Sequence, residues 1–223
     1  AGQTWSTPQN WSQGVVPPAG ANVIFGHGAG DCQVDALNAV PASIRTLAGY
    51  SGTITLKQGF RGDGRLDLSG DLVLESGSMA AEAHSLDGNG TGVTIIAANA
   101  TIAAGAQLHA DGLGFGHASG PGKGANGGPS GGGSHGGSGG DAPGGAAGGS
   151  PYGSWEVPGS IGSGAGNDSS IPGGAGGGGV ALEVNGTLRI DGVLSADGMN
   201  GTGYSSGGGA GGTIRVSAVK LDG

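Results

Sequence analysis

The sequence predicts an all-β fold, a right-handed parallel β-helix with an N-terminal cap and a long glycine-rich flank. Three observations carry that prediction. Short runs alternating apolar and polar residues recur from Ser43 to Ala104: SIRTLAG, GTITLKQG, GRLDLSG, DLVLESG and GVTIIAANATIAAG. A period of two broken at Gly, Asp-Gly or Ser-Gly marks strands joined by turns. A unit also appears twice, NATIAAGAQLHADG at 99–112 and NGTLRIDGVLSADG at 185–198, offset by 86 residues. On that offset Ile102 answers Leu188, Leu108 answers Leu194, and Ala110-Asp111-Gly112 answers Ala196-Asp197-Gly198. Finally, the turns do not alternate tight and long as hairpins would, and small corner residues let successive coils stack at strand spacing. Only MAAEAH at 79–84 has helical propensity, and it is too short to stand alone.

Taken in order, residues 1–42 read as a capping segment, 43–112 as β-helix rungs, 113–179 as a glycine-rich insertion, and 180–223 as further rungs with a second glycine-rich loop. Trp5 and Trp11 flank a polar turn, Pro17-Pro18 ends an apolar pair, and Val23-Ile24-Phe25 reads as a buried strand. This start resembles the opening of secreted bacterial repeat proteins, in which large side chains cover the apolar end of a stack. From 112 to 179, 30 of 68 residues are glycine, a linker composition. A loose linker seldom carries HGG (135–137), PYGSW (151–155) and IGSGAG (161–166) along its length. The expectation is therefore an ordered, polyglycine-II-like packing pinned by Tyr152 and Trp155.

The charge balance narrows the partners. Charged residues make up 11% of the chain and the formal net charge is −8, with only eight Lys and Arg. No basic face for nucleic acid can be assembled from these. No run of 18 apolar residues is present, so no helical membrane span is expected. Cys32 is the single cysteine and reads as a small strand hydrophobe. The closing VKLDG stops at the next Asp-Gly turn, which suggests a segment of a longer repetitive protein.

Candidate chemistry is sparse. GxGxxG-type matches occur throughout the glycine-rich part and no helix follows them, while GPGKG at 120–124 lacks the Ser/Thr of a P-loop. Gly136 to Asp141 matches the start of a calcium-binding GGxGxD nonapeptide, but Pro143 stands at the aliphatic position and no second copy follows. No cofactor is implied, and calcium, which the 16 carboxylates leave open, has no assigned place. Asp87, Asp111, Asp191 and Asp197 each precede Gly, as turns require, although paired carboxylates can also do acid–base work on polysaccharides. His84, His109, His117 and His135 lack metal-site spacing; His109 is expected to face outward near Asp111, and His117 and His135 to meet in the folded glycine segment. Tyr152, Trp155, Phe115 and Tyr204 are the aromatics of the glycine-rich parts, in a chain with 4% aromatics. They are anchors or platforms for sugar faces, and with His117 and His135 they form the candidate ligand-binding set. Asn-x-Ser/Thr sequons stand at Asn10, Asn89, Asn99, Asn167, Asn185 and Asn200.

The order HGG, PYGS, GSGAG, GGAGGGGVALEV, GTLRIDGVLSADG, GGGAGGTIRVSA over residues 99–218 resembles the glycine-rich repeats of large surface proteins. That resemblance implies an extracellular or cell-surface parallel β-helix and no particular activity. The expected function is a non-catalytic adhesion or stalk module whose partners are glycans or cell-surface polysaccharide. The alternative is a polysaccharide-active enzyme or its accessory carbohydrate-binding module. Ice binding needs a regular lattice, and the glycine pairs recur three apart at 136–140 but four apart at 144–149.

Overall fold

The computed structural model describes residues 3–83, 88–156, 159–169 and 171–223. In chain order the strands are β1 (Gln3–Thr4), β2 (Asn22–Phe25), β3 (Cys32–Val34), β4 (Ser43–Thr46), β5 (Thr53–Leu56), β6 (Arg65–Asp67) and β7 (Leu72–Leu74). There follow β8 (Gly77–Ala81), β9 (Val93–Ala97), β10 (Ala100–Ile102), β11 (Ala106–His109), β12 (Gly179–Ile190), β13 (Val193–Ser195) and β14 (Thr213–Asp222). A single turn of 3₁₀-helix at Pro8–Asn10 is the one helical element among the described residues, and no helix there is long and apolar enough to cross a membrane. Met79–Ala81, from the stretch with helix propensity, lies in β8, where Met79 and Ala81 are buried.

All strands pair in parallel and sort into two sheets. The smaller has six strands in the order β1-β3-β5-β8-β11-β13; the larger has eight, β2-β4-β7-β10-β12-β9-β6, with β14 also on β12. This topology corrects the right-handed parallel β-helix expected from the sequence. A solenoid read from short runs requires each strand to end at a corner, but β12 continues for 12 residues. Its Val180–Val184 part pairs with β9 and its Leu188–Ile190 part with β10. One unbroken strand thereby joins two ladders into a single sheet, which curls into a half-barrel beside the smaller one. All-parallel sheets of this kind are familiar from α/β proteins, where helices cover them; here loops and the opposite sheet do so.

Alternation puts one face of each strand inward, and parallel pairing stacks like on like. Val23, Ile44, Leu72, Ala100 and Leu188 form one column through successive registers. Cys32, Ile54, Met79, Leu108 and Leu194 form a second, from the smaller sheet. Both columns belong to one core. At the N-terminal end Trp5 is buried and meets Trp11 edge to face (centroids 4.7 Å apart), and the Trp11 indole N–H donates to the Trp5 carbonyl at 2.9 Å. Phe25 and Tyr50 continue this aromatic series. These side chains cap the core. Cys32 lies inside it, and burial, with Asp35 nearby, pushes its thiol up to about 12, so the thiolate is not formed at neutral pH.

The glycine-rich part is ordered by its own backbone. Gly114 donates to Gly176 O (2.8 Å), Gly162 to Gly177 O (2.8 Å), Gly177 to Ala210 O (2.8 Å) and Gly133 to Gly208 O (2.9 Å). Segments from both glycine-rich loops thus lie side by side. Their backbones approach so closely that a Cβ at Gly177 would strike the Ala196 carbonyl, and one at Gly131 the Ala147 carbonyl. Buried hydroxyls complete the bonding: Ser130 Oγ donates to Gly166 O (2.8 Å) and accepts from Gly207 N (3.0 Å).

Two stability measurements test this account. In urea unfolding, Leu72→Ala lowers stability by about 2–5 kcal/mol, through lost transfer energy and a residual cavity, while exposed Ile24→Ala changes it by less than about 1 kcal/mol. By the same readout Gly177→Ala costs about 1–3 kcal/mol or more through overpacking, whereas Gly136→Ala, which meets nothing within 4 Å, stays near neutral.

Candidate functional site

The run Pro151-Tyr-Gly-Ser-Trp155 leaves the glycine-rich assembly and folds over His135, and an open cleft of about 360 Å³ lies between them. Its lining is His135, Gly136, Pro151, Tyr152, Gly153, Ser154 and Trp155. Tyr152 is the fixed wall. Its hydroxyl donates to the Ile161 carbonyl and accepts from Ser163 Oγ (2.8 Å), whose oxygen also accepts from Gly122 N (3.0 Å). Burial raises the Tyr152 phenol above its ordinary pKa, against the lowering effect of the Ser163 bond, so the ring is neutral. The His135 ring lies 5.2 Å from the Tyr152 ring at 55°, and its Nε2 is 2.8 Å from Ser160 Oγ. Gly153 turns through φ +90°, and a Cβ there would press on Ser160 Oγ and His135 Nε2.

Trp155 is 88% exposed, contrary to the pinning role expected for it. A large apolar ring left in water beside a half-buried Tyr–His pair is a surface with binding capacity. Burial lowers the His135 pKa below the ordinary imidazole value, opposed by backbone groups of Gly211 and Gly212. At neutral pH the imidazole is therefore uncharged, and none of the seven lining residues carries a formal charge.

The remaining sequence-derived candidates fall elsewhere. Phe115 is buried with Ala83 and Ile161 in a small second core, an anchor of the glycine assembly. Tyr204 is fully exposed and is not among the cleft residues. His117 Nδ1 meets Asn167 Oδ1 at 3.0 Å, so His117 and His135 engage different partners rather than each other. His109 does lie near Asp111, with Nδ1 3.8 Å from Oδ2. Sequence reading missed Pro151, Gly153, Ser154 and Ser160 as neighbours of the aromatics, although the contiguous PYGSW run was the available signal.

Asp111, Asp191 and Asp141 are engaged at corners. Asp111 Oδ2 accepts from Ser195 Oγ and Oδ1 from Asp197 N, both at 2.7 Å, tying the two copies of the repeated unit together. Asp191 pairs with Arg189, and Asp141 Oδ1 closes its loop by accepting from Gly148 N (2.8 Å). Asp87 and His84 lie outside the described residues. Gly64, Gly90 and Gly112 turn through φ of +63°, +67° and +64° as their Asp-Gly and Asn-Gly pairs predict. Gly192 and Gly198 do not; there a side chain would collide with the carbonyls of Ala103 and Gly209. No group of three or more His, Cys, Asp or Glu able to hold a metal occurs among the described residues.

Comparison of the chain with protein-family models, with curated proteins and with solved structures finds no match.

The depressed His135 pKa has a measurable consequence. The unfolded chain, with a histidine pKa near 6.5, takes up a proton more readily than the folded one, so stability falls as pH drops through that value. Thermal unfolding from pH 7.5 to 5.5 should show a steeper loss in the wild type than in His135→Gln, with the two profiles parallel above pH 7.

Proposed function

We propose that this chain is a non-catalytic module of a secreted or cell-surface protein, acting in adhesion or as a stalk, and that it holds the face of a sugar in the His135–Tyr152–Trp155 cleft. One observation carries the reading: an 88% exposed tryptophan stands beside a half-buried, hydrogen-bonded tyrosine and a neutral histidine in an uncharged cleft. Sugars offer apolar C–H faces to aromatic rings and hydroxyls to neutral donors and acceptors, and this lining supplies both. Pyranose binding would cover the Trp155 ring while Ser154 and the His135–Ser160 pair stand within reach of ring hydroxyls. The net charge of −8 opposes anionic polymers and leaves neutral glycans as the favoured class. The surface location rests on the glycine-rich repeat resemblance. The Asp111 and Asp191 carboxylates are engaged with a backbone amide, a hydroxyl and an arginine, which favours binding over acid–base cleavage.

A neutral-glycan and polysaccharide binding screen, run with calcium and with chelator, tests this. Saturable binding is expected, unchanged by chelator and weakened about tenfold or more, roughly 1.4 kcal/mol, in Trp155→Ala. Binding that survives the substitution moves the site to another face. Absence of binding to every glycan removes the sugar reading and leaves the stalk.

A further inference from the structure

The chain carries three sulfur atoms, in Cys32, Met79 and Met199. Cys32 and Met79 are shut into the core, and the Cys32 thiol keeps its proton at neutral pH. Met199 is 52% exposed, whereas Met79 is 0% exposed. Met199 also opens the second glycine-rich loop, and it fastens that loop at three points. Its N–H donates to Ala175 O at 2.8 Å, and its carbonyl accepts from Gly209 N at 2.9 Å. Its side chain lies over the Asp111–Gly112 corner, where a Cβ on Gly112 would stand 2.5 Å from Met199 Cγ and 3.0 Å from Sδ. That corner is itself a junction: Gly112 N donates to Asp197 O (2.8 Å), and Asp197 N to Asp111 Oδ1 (2.7 Å). The thioether is therefore open to water on one side and seated on the other against a bare glycine turn with φ +64°.

We propose that Met199 is a modification site, oxidised by hydrogen peroxide to the sulfoxide, and that the change unfastens the second glycine-rich loop from the Gly112 corner while the core stays intact. A sulfur lone pair attacks one peroxide oxygen, the O–O bond breaks, and that oxygen remains on sulfur as S=O. The other oxygen leaves as water with both protons. The sulfur loses two electrons and the peroxide gains them, so no further reagent enters. The product is polar and chiral where the thioether was apolar and flexible. An oxygen added on the corner side has no room, with Sδ already so close to the Gly112 turn. One added on the open side is hydrated and holds the sulfur toward water. The rest of the loop is lightly held. Thr202 N and Oγ1 reach Pro172 O at 3.4 and 3.0 Å, Gly203 lies against Ile171, and Tyr204 is fully exposed. Met199 belongs to neither hydrophobic cluster, so releasing its side chain leaves both cores packed. Sulfoxide reduction restores the thioether, which makes the site a reversible one.

Treatment of the full chain with hydrogen peroxide tests the proposal, read by mass-spectrometric peptide mapping and by hydrogen exchange. One added oxygen is expected, on Met199, with Met79 unmodified until the chain is unfolded in urea. The Thr202 and Gly209 amides, which bond to Pro172 O and Met199 O, should exchange about fivefold faster or more after oxidation. They should regain their original rates after treatment with methionine sulfoxide reductase, and peroxide should leave them unchanged in Met199→Leu. The Ile54 and Leu182 amides, on buried strand residues, should keep their protection throughout. Met79 oxidising as fast as Met199 in the folded chain overturns the proposal. So does a sulfoxide at Met199 that leaves both loop amides unchanged, or one that strips protection from Ile54 and Leu182 as well. If Met199→Leu fails to fold, the reductase decides: slowed exchange on reduction supports the site, and exchange that stays fast refutes it.

Discussion

Parallel register is the constraint on which the rest of this structure depends. Each layer places an apolar residue directly over its equivalent in the layer before, as in the column Leu66, Ile95, Leu182. With period-two alternation, a slip of one residue would turn a whole strand's side chains outward, so burial itself selects the pairing. Neither sheet could be stable alone, since each has only one apolar face. The shared core binds them, and corner carboxylates such as Asp111 then satisfy amides of the next layer that strand pairing leaves over.

The glycine-rich part obeys a different rule. Ordering glycine costs more backbone entropy than any other residue, roughly 0.5–1 kcal/mol more than alanine. A backbone hydrogen bond contributes a net of about 0.5–1.5 kcal/mol, which offsets that cost only if nearly every residue makes one. The absence of side chains permits this, because neighbouring backbones can approach to distances that any Cβ would block. Phe115 and Tyr152 fix the assembly to its surroundings, one by burial and the other through its hydroxyl. With Tyr152 so held, Trp155 three residues later is displayed rather than packed, and the cleft results from that division of labour.

The repeated unit shows where sequence reasoning stops. Its two copies were aligned at an offset of 86, and β11 against β13 keeps it, with Leu108 on Leu194. β10 against β12 does not: Ile102 lies on Ile190, two residues further along. The turn from Ile190 to Val193 is two residues shorter than its counterpart from Ile102 to Gln107, and an even slip keeps every side chain on its original face. Identity in sequence could not reveal the slip because both registers satisfy the same alternation.

The sequence by itself determined the strands, their inward faces, the tryptophan cap and the positive-φ turns at Gly64, Gly90 and Gly112, because these depend on periodicity and local backbone preference. Tertiary structure decided how those strands associate. The 12-residue continuity of β12 made one curled sheet where two faces of a solenoid were expected, and nothing local marks Asn185-Gly186 as a place the strand passes through rather than a corner. It also decided which aromatics anchor and which are displayed. Phe115 and Trp155 sit in similar glycine-rich sequence, and only the neighbours brought in from Ala83, Ile161 and His135 distinguish a core residue from a surface one.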